Sequence, residues 1–538
     1  MTFYGTIKNA AISIFSSFLL VSLFPDWDMG VLAWLAIVPL LLVVSSRDRI
    51  EGFLLAYVCG IFFFLGTFDW IRNIYNYRWH HHTILALYLG AYFGLFGMGV
   101  GHISNRLGQT AALWAAPFLW VMLEYIRSNF FFLALPWELI GHSQYRYPAI
   151  MQLAALFGTY SISFLIVLVN AGIACLVLVL LSLFQARRSH RNYAMASKKW
   201  ALALVSSAVL CTALSLGYGH RAISKTLTGK PIDVAMVQGN IEQRKKWDPK
   251  YAGEIIQIYE DLTLKASLNL PDLIVWPETA TPGSISLNPE ILNELNQIVL
   301  KTSTPLVFGS AQHQKFMKAE QERPHLVNSA FLMIPGNKKS DLQQYDKIRL
   351  LPFAEYLPQK KVIPWKWINV SSLSEYDSGQ KSVVFELPPY RFGVTICWEN
   401  IFPDFFRQFV KRGAQFVINI TNEARVGKTA APHQLLAISV FRAVENGIFI
   451  IRCANTGVSC IIDPHGRIVK RLQDENGQDL FVRGILNGTI IPTESKTFYT
   501  RNGDLVPILA IAVSLVFIFI AWSKPLAKRK IARDVEGQ

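Results

Sequence analysis

At 538 residues the chain is long enough for more than one folding unit, and a hydrophobic share of 52% with mean hydropathy +0.30 excludes an ordinary water-soluble globule. The formal net charge of +15 raises nucleic acid as a partner. Much of that charge, however, sits in short loops and a tail beside apolar runs, where anionic lipid accounts for it; with no zinc-finger spacing or aromatic-basic motif present, no nucleic acid is expected.

Apolar runs of about 18 or more residues with few charges read as membrane spans. Eight occur, near residues 9–25, 29–46, 52–70, 84–104, 111–127, 161–183, 199–217 and 505–522. The first is read as retained, because no small-residue cleavage site follows it and FPDWD leads straight into the second. Lys and Arg are held on the cytoplasmic side of short loops. Arg47 and Arg49 follow the second span; Arg187, Arg188, Arg191, Lys198 and Lys199 follow the sixth; Lys524, Lys528, Arg529 and Lys530 follow the last. With Lys8 and the N-terminus cytoplasmic, all three clusters lie inside. Residues 218–503 then lie on the outer face of the membrane, which for the cell inner membrane of a bacterium with two membranes is the periplasm. The expected organisation is a seven-span bundle over 1–217, a soluble domain over 218–503, and an eighth span with a basic tail over 504–538.

Two features of the apolar part bear on function. Phe130, Phe131, Phe132, Leu133 and Leu135 form a run too short to span, read equally as a segment dipping into the outer leaflet or as the end of a span. His80, His81 and His82 stand beside Tyr77, Arg78 and Trp79 and read as an interfacial belt; no complementary ligand cluster accompanies them, so no metal is assigned. Glu124 is the most notable charge inside a span, and the scarcity of others disfavours a transport path.

Between 218 and 503 the pattern changes to short β-branched runs alternating with helical segments. IDVAMVQGNI (232–241), DLIVWPETA (272–280), PLVFGSAQ (305–312), HLVNSAFLMI (325–334), RFGVTICWEN (391–400), QFVINIT (415–421) and GIFIIRCAN (447–455) read as strands. Residues 250–268, FPDFFRQFVKRGA and HQLLAISVFRAVENG read as helices. Such alternation argues for α/β layers with helices over the sheet faces.

Of the six cysteines, Cys59, Cys175 and Cys211 fall in spans and read as small apolar residues. Cys453 and Cys460 flank ANTGVS, which allows either a cross-strand disulfide or two buried thiols. Cys397 stands apart at the end of the strand FGVTIC, before a helix whose dipole would favour a thiolate. Glu278 ends LIVWPE, and Lys347 lies just past a strand in YDKIRLLPFAEY. Taken singly, these are a core thiol, a loop charge and a solvated cation. Together they make a nucleophile set: a carboxylate to take the thiol proton and an ammonium to stabilise the oxyanion formed on attack.

The flanking residues favour the joint reading. LIVWPETA, YDKIRLLPFAEYLP and GVTICWENIFP resemble the three signature segments of the nitrilase superfamily. With MVQGNIEQRKKWDP, FPDWDMGVLAWLAIVPLL and LPWELIGHSQYRYPAIMQLAALFGTYSISFL, the likeness extends over nearly the whole chain to the apolipoprotein N-acyltransferase family. The resemblance implies a multi-span α-helical membrane bundle plus an α/β nitrilase-like αββα sandwich. It makes Glu278 the general base, Cys397 the nucleophile, Lys347 the oxyanion stabiliser and Glu355 a second carboxylate orienting Lys347. It also places Trp247, Trp398 and Glu399 near the site, with Trp398 where the family often has Tyr. The larger departure is TNEARVG (421–427), where Glu423 and Arg425 replace an acidic and an aromatic residue in a loop that bears on the acceptor.

The implied reaction moves a fatty acyl group from phospholipid to the N-terminal amine of a diacylglyceryl-cysteine on an apolipoprotein, through a thioester and with ping-pong kinetics. The implied partners are a phospholipid donor, a diacylated apolipoprotein acceptor and membrane lipids, with no cofactor. The alternatives are a membrane-tethered carbon-nitrogen hydrolase using water with the same three residues, and a transport or lipid-binding scaffold.

Overall fold

The computed structural model describes residues 3–74, 77–189, 198–314, 325–338, 341–368 and 375–524; Arg191, Lys528, Arg529 and Lys530 lie outside them. Among the described residues, five helices are long and apolar enough to cross a membrane: Arg49–Thr67, Trp79–Leu107, Thr159–Phe184, Lys199–Ile223 and Leu505–Ser523. The runs expected at 9–25 and 111–127 form the helices Phe3–Val21 and Gln109–Asn129, the latter continuous through Pro117 and carrying Glu124 and Arg127.

The run at 29–46 departs from a continuous span. It breaks into Gly30–Leu32, Ala33–Ala36 and Val38–Val44. Pro39 explains the break, because it offers no N–H and its ring clashes with the carbonyl four residues back. A buried break leaves backbone groups without partners, and here one side chain from Thr159–Ser189 satisfies them. Asn170 Oδ1 accepts from Ile37 N at 2.9 Å and Val38 N at 3.1 Å, while Nδ2 donates to Ala33 O and Ile166 O, both at 2.8 Å.

Among the described residues twelve strands form two sheets: β1 (Ile232–Gln238), β2 (Leu273–Val275), β3 (Leu306–Gln314), β4 (His325–Met333), β5 (Gln343–Asp346), β6 (Val384–Leu387), β7 (Tyr390–Ile396), β8 (Phe416–Thr421), β9 (Phe449–Ala454), β10 (Cys460–Ile462), β11 (Ile468–Arg471) and β12 (Gly484–Ile490). Their orders are β12-β1-β2-β3-β4-β5 and β11-β10-β9-β8-β7-β6. The inner strands β1-β2-β3 and β7-β8-β9 run parallel, with antiparallel strands outside them.

Side chains alternate across a strand, and both faces of these sheets are apolar. Val234, Met236, Val275 and Val307 face the second sheet. Ala235, Val237, Ile274 and Trp276 pack under helices Ala252–Ser267 and Pro289–Thr302. Pro403–Lys411 and Ala431–Asn446 cover the second sheet, completing the expected αββα sandwich. The strands β6 and β12 were not legible as such; Gly484, Gly488 and Asn487 dilute the β signal of the latter.

Helix Ala431–Asn446 is buried along nearly its whole length because it also serves as the wall between the sandwich and the apolar helices. Gln434 Oε1 accepts from Trp70 Nε1 and Trp137 Nε1, each at 3.0 Å, and Glu445 Oε1 accepts from Thr159 N at 2.9 Å. Cys453 and Cys460 are free and buried. Cys460 pairs in register with Arg452 rather than with its neighbour Cys453, whose sulfur lies 3.4 Å from Val275 O across the sandwich.

Candidate active site

Each of the three expected reactive residues stands at a strand end held by local packing. Trp276 continues β2, stacks on Tyr259 with ring centroids 4.7 Å apart and donates to Thr263 Oγ1 at 2.8 Å. Glu278 follows after Pro277, and the chain there touches β3 so closely that only glycine fits. A Cβ on Gly309 would lie 2.6 Å from Thr279 N and 2.7 Å from Glu278 Cα. Lys347 follows β5, its N–H donating to Asn328 O at 2.8 Å. Cys397 follows β7 with a left-handed φ of +57°, the sharp turn that lifts a side chain off the sheet end.

These strand ends meet. Lys347 is 1% exposed, and its Nζ lies 2.9 Å from Glu355 Oε1 and 3.6 Å from Glu278 Oε1. Glu278 also accepts from Asn328 Nδ2 at 2.7 Å and from Asn422 N at 2.8 Å. Glu355 is steadied by Leu351 N at 2.7 Å. Cys397, half-buried, opens into the cavity that these three residues line.

Burial pushes the Cys397 thiol up to about 12, with Glu278 adding to the rise and Lys347 opposing it. The resting sulfur is therefore held in its protonated form. Burial alone would pull Lys347 down, but Glu355, Cys397 and Glu278 together hold it above its ordinary value, so it stays an ammonium. The helix dipole expected at Cys397 is not supplied: Cys397–Ile401 is a short 3₁₀ turn and the α-helix begins only at Pro403. The dipole acts only within a helix's first turn.

Glu399 points away from the cavity. It is fully buried and its carboxylate accepts from Ile348 N at 2.8 Å, Arg349 N at 3.0 Å, Ile396 N at 2.8 Å and Tyr345 OH at 2.8 Å. It thus ties the lysine loop to the cysteine turn. Trp398 lines the cavity and donates to Arg349 O. Trp247, 47% exposed, stands at the mouth with its Nε1 3.0 Å from the Gln243 side-chain oxygen.

The cavity holds about 320 Å³. Its other wall comes from the helical part: Phe68, Trp70, Ile74, Tyr77 and Leu85, with Phe132, Leu133 and Leu135 from the short apolar run. That run divides its roles, since Phe131 is 80% exposed while Phe132, Leu133 and Leu135 line the cavity. His81 also lines it, its Nδ1 accepting from Arg78 N at 3.1 Å as helix Trp79–Leu107 begins. Among the described residues no group of three or more His, Cys, Asp or Glu is placed to hold a metal ion.

Several neighbours of the site were not singled out from sequence. Asn328 and Asn422 hold Glu278; buried Lys246 donates to Glu278 O at 2.9 Å, and burial pulls it down to about 7. Arg452 pairs with Glu423 and donates to Asn419 Oδ1 at 2.6 Å, and Asn419 Nδ2 donates to Cys397 O at 3.1 Å. A usable signal existed for Asn328 and Asn419: each is a polar residue inside an apolar strand, where burial demands a partner.

Residues 16–172 match the family described as apolipoprotein N-acyltransferase N-terminal domain, and residues 233–492 match carbon-nitrogen hydrolase. A protein named apolipoprotein N-acyltransferase from Geobacter metallireducens is 32% identical, the alignment covering 96% of each chain. One of the same name from Chlorobaculum tepidum is 29% identical, again over 96% of each. Among solved structures, an amidase from Nesterenkonia sp. is similar at 19% identity and a TM-score of 0.35, over 51% of this chain and 94% of its own.

Proposed function

This chain belongs to the apolipoprotein N-acyltransferase family and is an acyltransferase with a carbon-nitrogen hydrolase domain, and from that premise we propose its substrates and chemistry. It transfers a fatty acyl group from phospholipid to the N-terminal amine of diacylglyceryl-cysteine on an apolipoprotein. The observation that carries this reading is a single cavity that joins the thiol of Cys397 to an apolar wall built by the helices. A hydrolase of soluble amides has no use for such a wall, whereas an acyl chain leaving the bilayer needs one, since exposing it costs about 0.8 kcal/mol per CH₂.

The cycle has two halves. Glu278 takes the Cys397 proton as the sulfur attacks the ester carbonyl, and Lys347 neutralises the oxyanion. Collapse breaks the ester C–O bond, and the lysophospholipid oxygen leaves with the proton from Glu278. The acceptor amine then attacks the thioester carbonyl and gives its proton to Glu278. Collapse breaks the C–S bond and returns that proton to the sulfur. Glu355 keeps Lys347 in place, and the apolar walls of the cavity limit water, which would divert the thioester to free fatty acid.

The organisation that suits this chemistry is a bundle over 1–217, a catalytic domain over 218–503 facing the periplasm, and a closing helix and tail over 504–538. The test is incubation with phospholipid and a synthetic diacylated lipopeptide. A peptide mass increase of one acyl chain with the native protein, absent for Cys397→Ser, is expected. Free fatty acid with unchanged peptide would instead identify a hydrolase.

A further inference from the structure

The cavity's charges are matched except at one point. Glu278 and Glu355 are both taken up by Lys347, Asn328 and backbone N–H groups, and Glu423 by Arg452. Arg425 also lines the cavity, and among the described residues no carboxylate lies within ion-pair distance of it. Its Nε lies 3.2 Å from the Gln243 side-chain oxygen, which Trp247 shares, leaving the end of the guanidinium without an ionic partner. A half-buried cation beside apolar walls is unfavourable unless something anionic joins it.

Its position says what joins it. Arg425 stands three residues after Asn422, whose N–H holds Glu278, so the guanidinium belongs to the turn that carries the catalytic carboxylate's support. A ligand whose carbonyl meets Cys397 therefore brings its neighbouring groups within reach of this turn. We propose that Arg425 binds the phosphodiester of the donor phospholipid and selects phosphate-bearing esters for transfer to Cys397. This rests on the acyltransfer reading given above.

The chemistry is specific. A guanidinium presents paired N–H donors that match the two free oxygens of a phosphodiester. The acceptor offers no such group: the diacylglyceryl-cysteine head is a neutral thioether beside an amine, and in its protonated form that amine is repelled by Arg425. Once lysophospholipid leaves, its phosphate leaves with it, and the mouth is open to the amine. The position that the family gives to an aromatic ring thus serves here as an electrostatic filter on the donor.

The test uses the full-length protein in detergent micelles and measures acyl-enzyme formation with two donors of identical labelled chains, phosphatidylglycerol and diacylglycerol. For Arg425→Gln the ratio of the two rates is expected to fall about 10–100-fold, the loss of a hydrogen-bonded charge pair. Arg425→Trp is expected to lower it similarly, and Arg425→Lys to retain part of the preference. Alkylation of Cys397 shows that each variant keeps its site intact. An unchanged ratio in Arg425→Gln and Arg425→Trp overturns the inference, as does a defect confined to aminolysis by lipopeptide, which would assign Arg425 to the acceptor. Absence of acyl-enzyme from either donor in the native protein would overturn the thioester reading itself.

Discussion

The ammonium of Lys347 donates to Glu355 at 2.9 Å, closer than its 3.6 Å approach to Glu278. The lysine is therefore anchored more closely by Glu355 than by Glu278, the residue we propose as the base. Replacing Glu355 with Gln keeps the shape but removes the charge-assisted bond, worth about 1.5–3 kcal/mol. We expect kcat to fall about 10–100-fold with KM little changed. Steady-state kinetics with a lipopeptide acceptor decide it: a change confined to KM would place Glu355 in binding.

Cys397 titration separates the effects of Glu278 and Lys347. Burial raises the thiol most and Glu278 raises it further, while Lys347 lowers it. Glu278→Gln should therefore shift thiol alkylation to lower pH than in the native protein. Acyl transfer in the same variant should drop about 10²–10⁴-fold for want of the base. Lys347→Ala should shift alkylation the other way. Movement of both variants in one direction would contradict the arrangement.

Glu399 makes a stability prediction. Burial, despite the bonds from Arg349 N and Ile396 N, raises its carboxyl from 4.5 to about 7. A folded state that holds the proton more tightly than the unfolded chain gains stability that is complete below about pH 4.5 and lost as pH rises through about 7. Glu399→Gln turns an amide N–H toward backbone donors and should cost about 1–3 kcal/mol. Unfolding midpoints in detergent should show that deficit shrinking across the same pH window. A pH-independent deficit would contradict the shift.

Gly309 bears on the position of Glu278. Every atom that a Cβ there would strike belongs to backbone at residues 277–279. Gly309→Ala must move Glu278, and a displacement near 1 Å costs about 10²-fold in rate. Full activity in Gly309→Ala would show that the strand contact is not needed.

Asn170 tests the broken helix far from the chemistry. Asn170→Leu leaves the N–H groups of Ile37 and Val38 and the carbonyl of Ala33 without their present partner. Each such group costs about 1–3 kcal/mol. A clearly lowered unfolding midpoint in detergent is expected, with the acyl-enzyme still formed by the folded fraction.

Much of the site could be read along the chain because its signals are local. The strand ends at Glu278, Lys347 and Cys397 carry distinctive neighbours, and long apolar runs report helices whatever surrounds them. Those features depend on hydrophobic period and on residues a few positions apart, so the sandwich and the helical body were legible along the chain, as were the three candidate residues that line one cavity.

Tertiary structure alone decided what each polar group meets. Glu399 lies two residues from Cys397 yet turns inward to bind Ile348 and Arg349, and Cys453 and Cys460 share a hairpin without facing one another. Gln434 finds Trp70, Asn170 finds Ile37, and Asn422 finds Glu278, each across more than a hundred residues. A pattern of apolar positions says which face of an element must leave water, but not which distant element will cover it. Buried hydrogen-bond partners are chosen only when those faces come together.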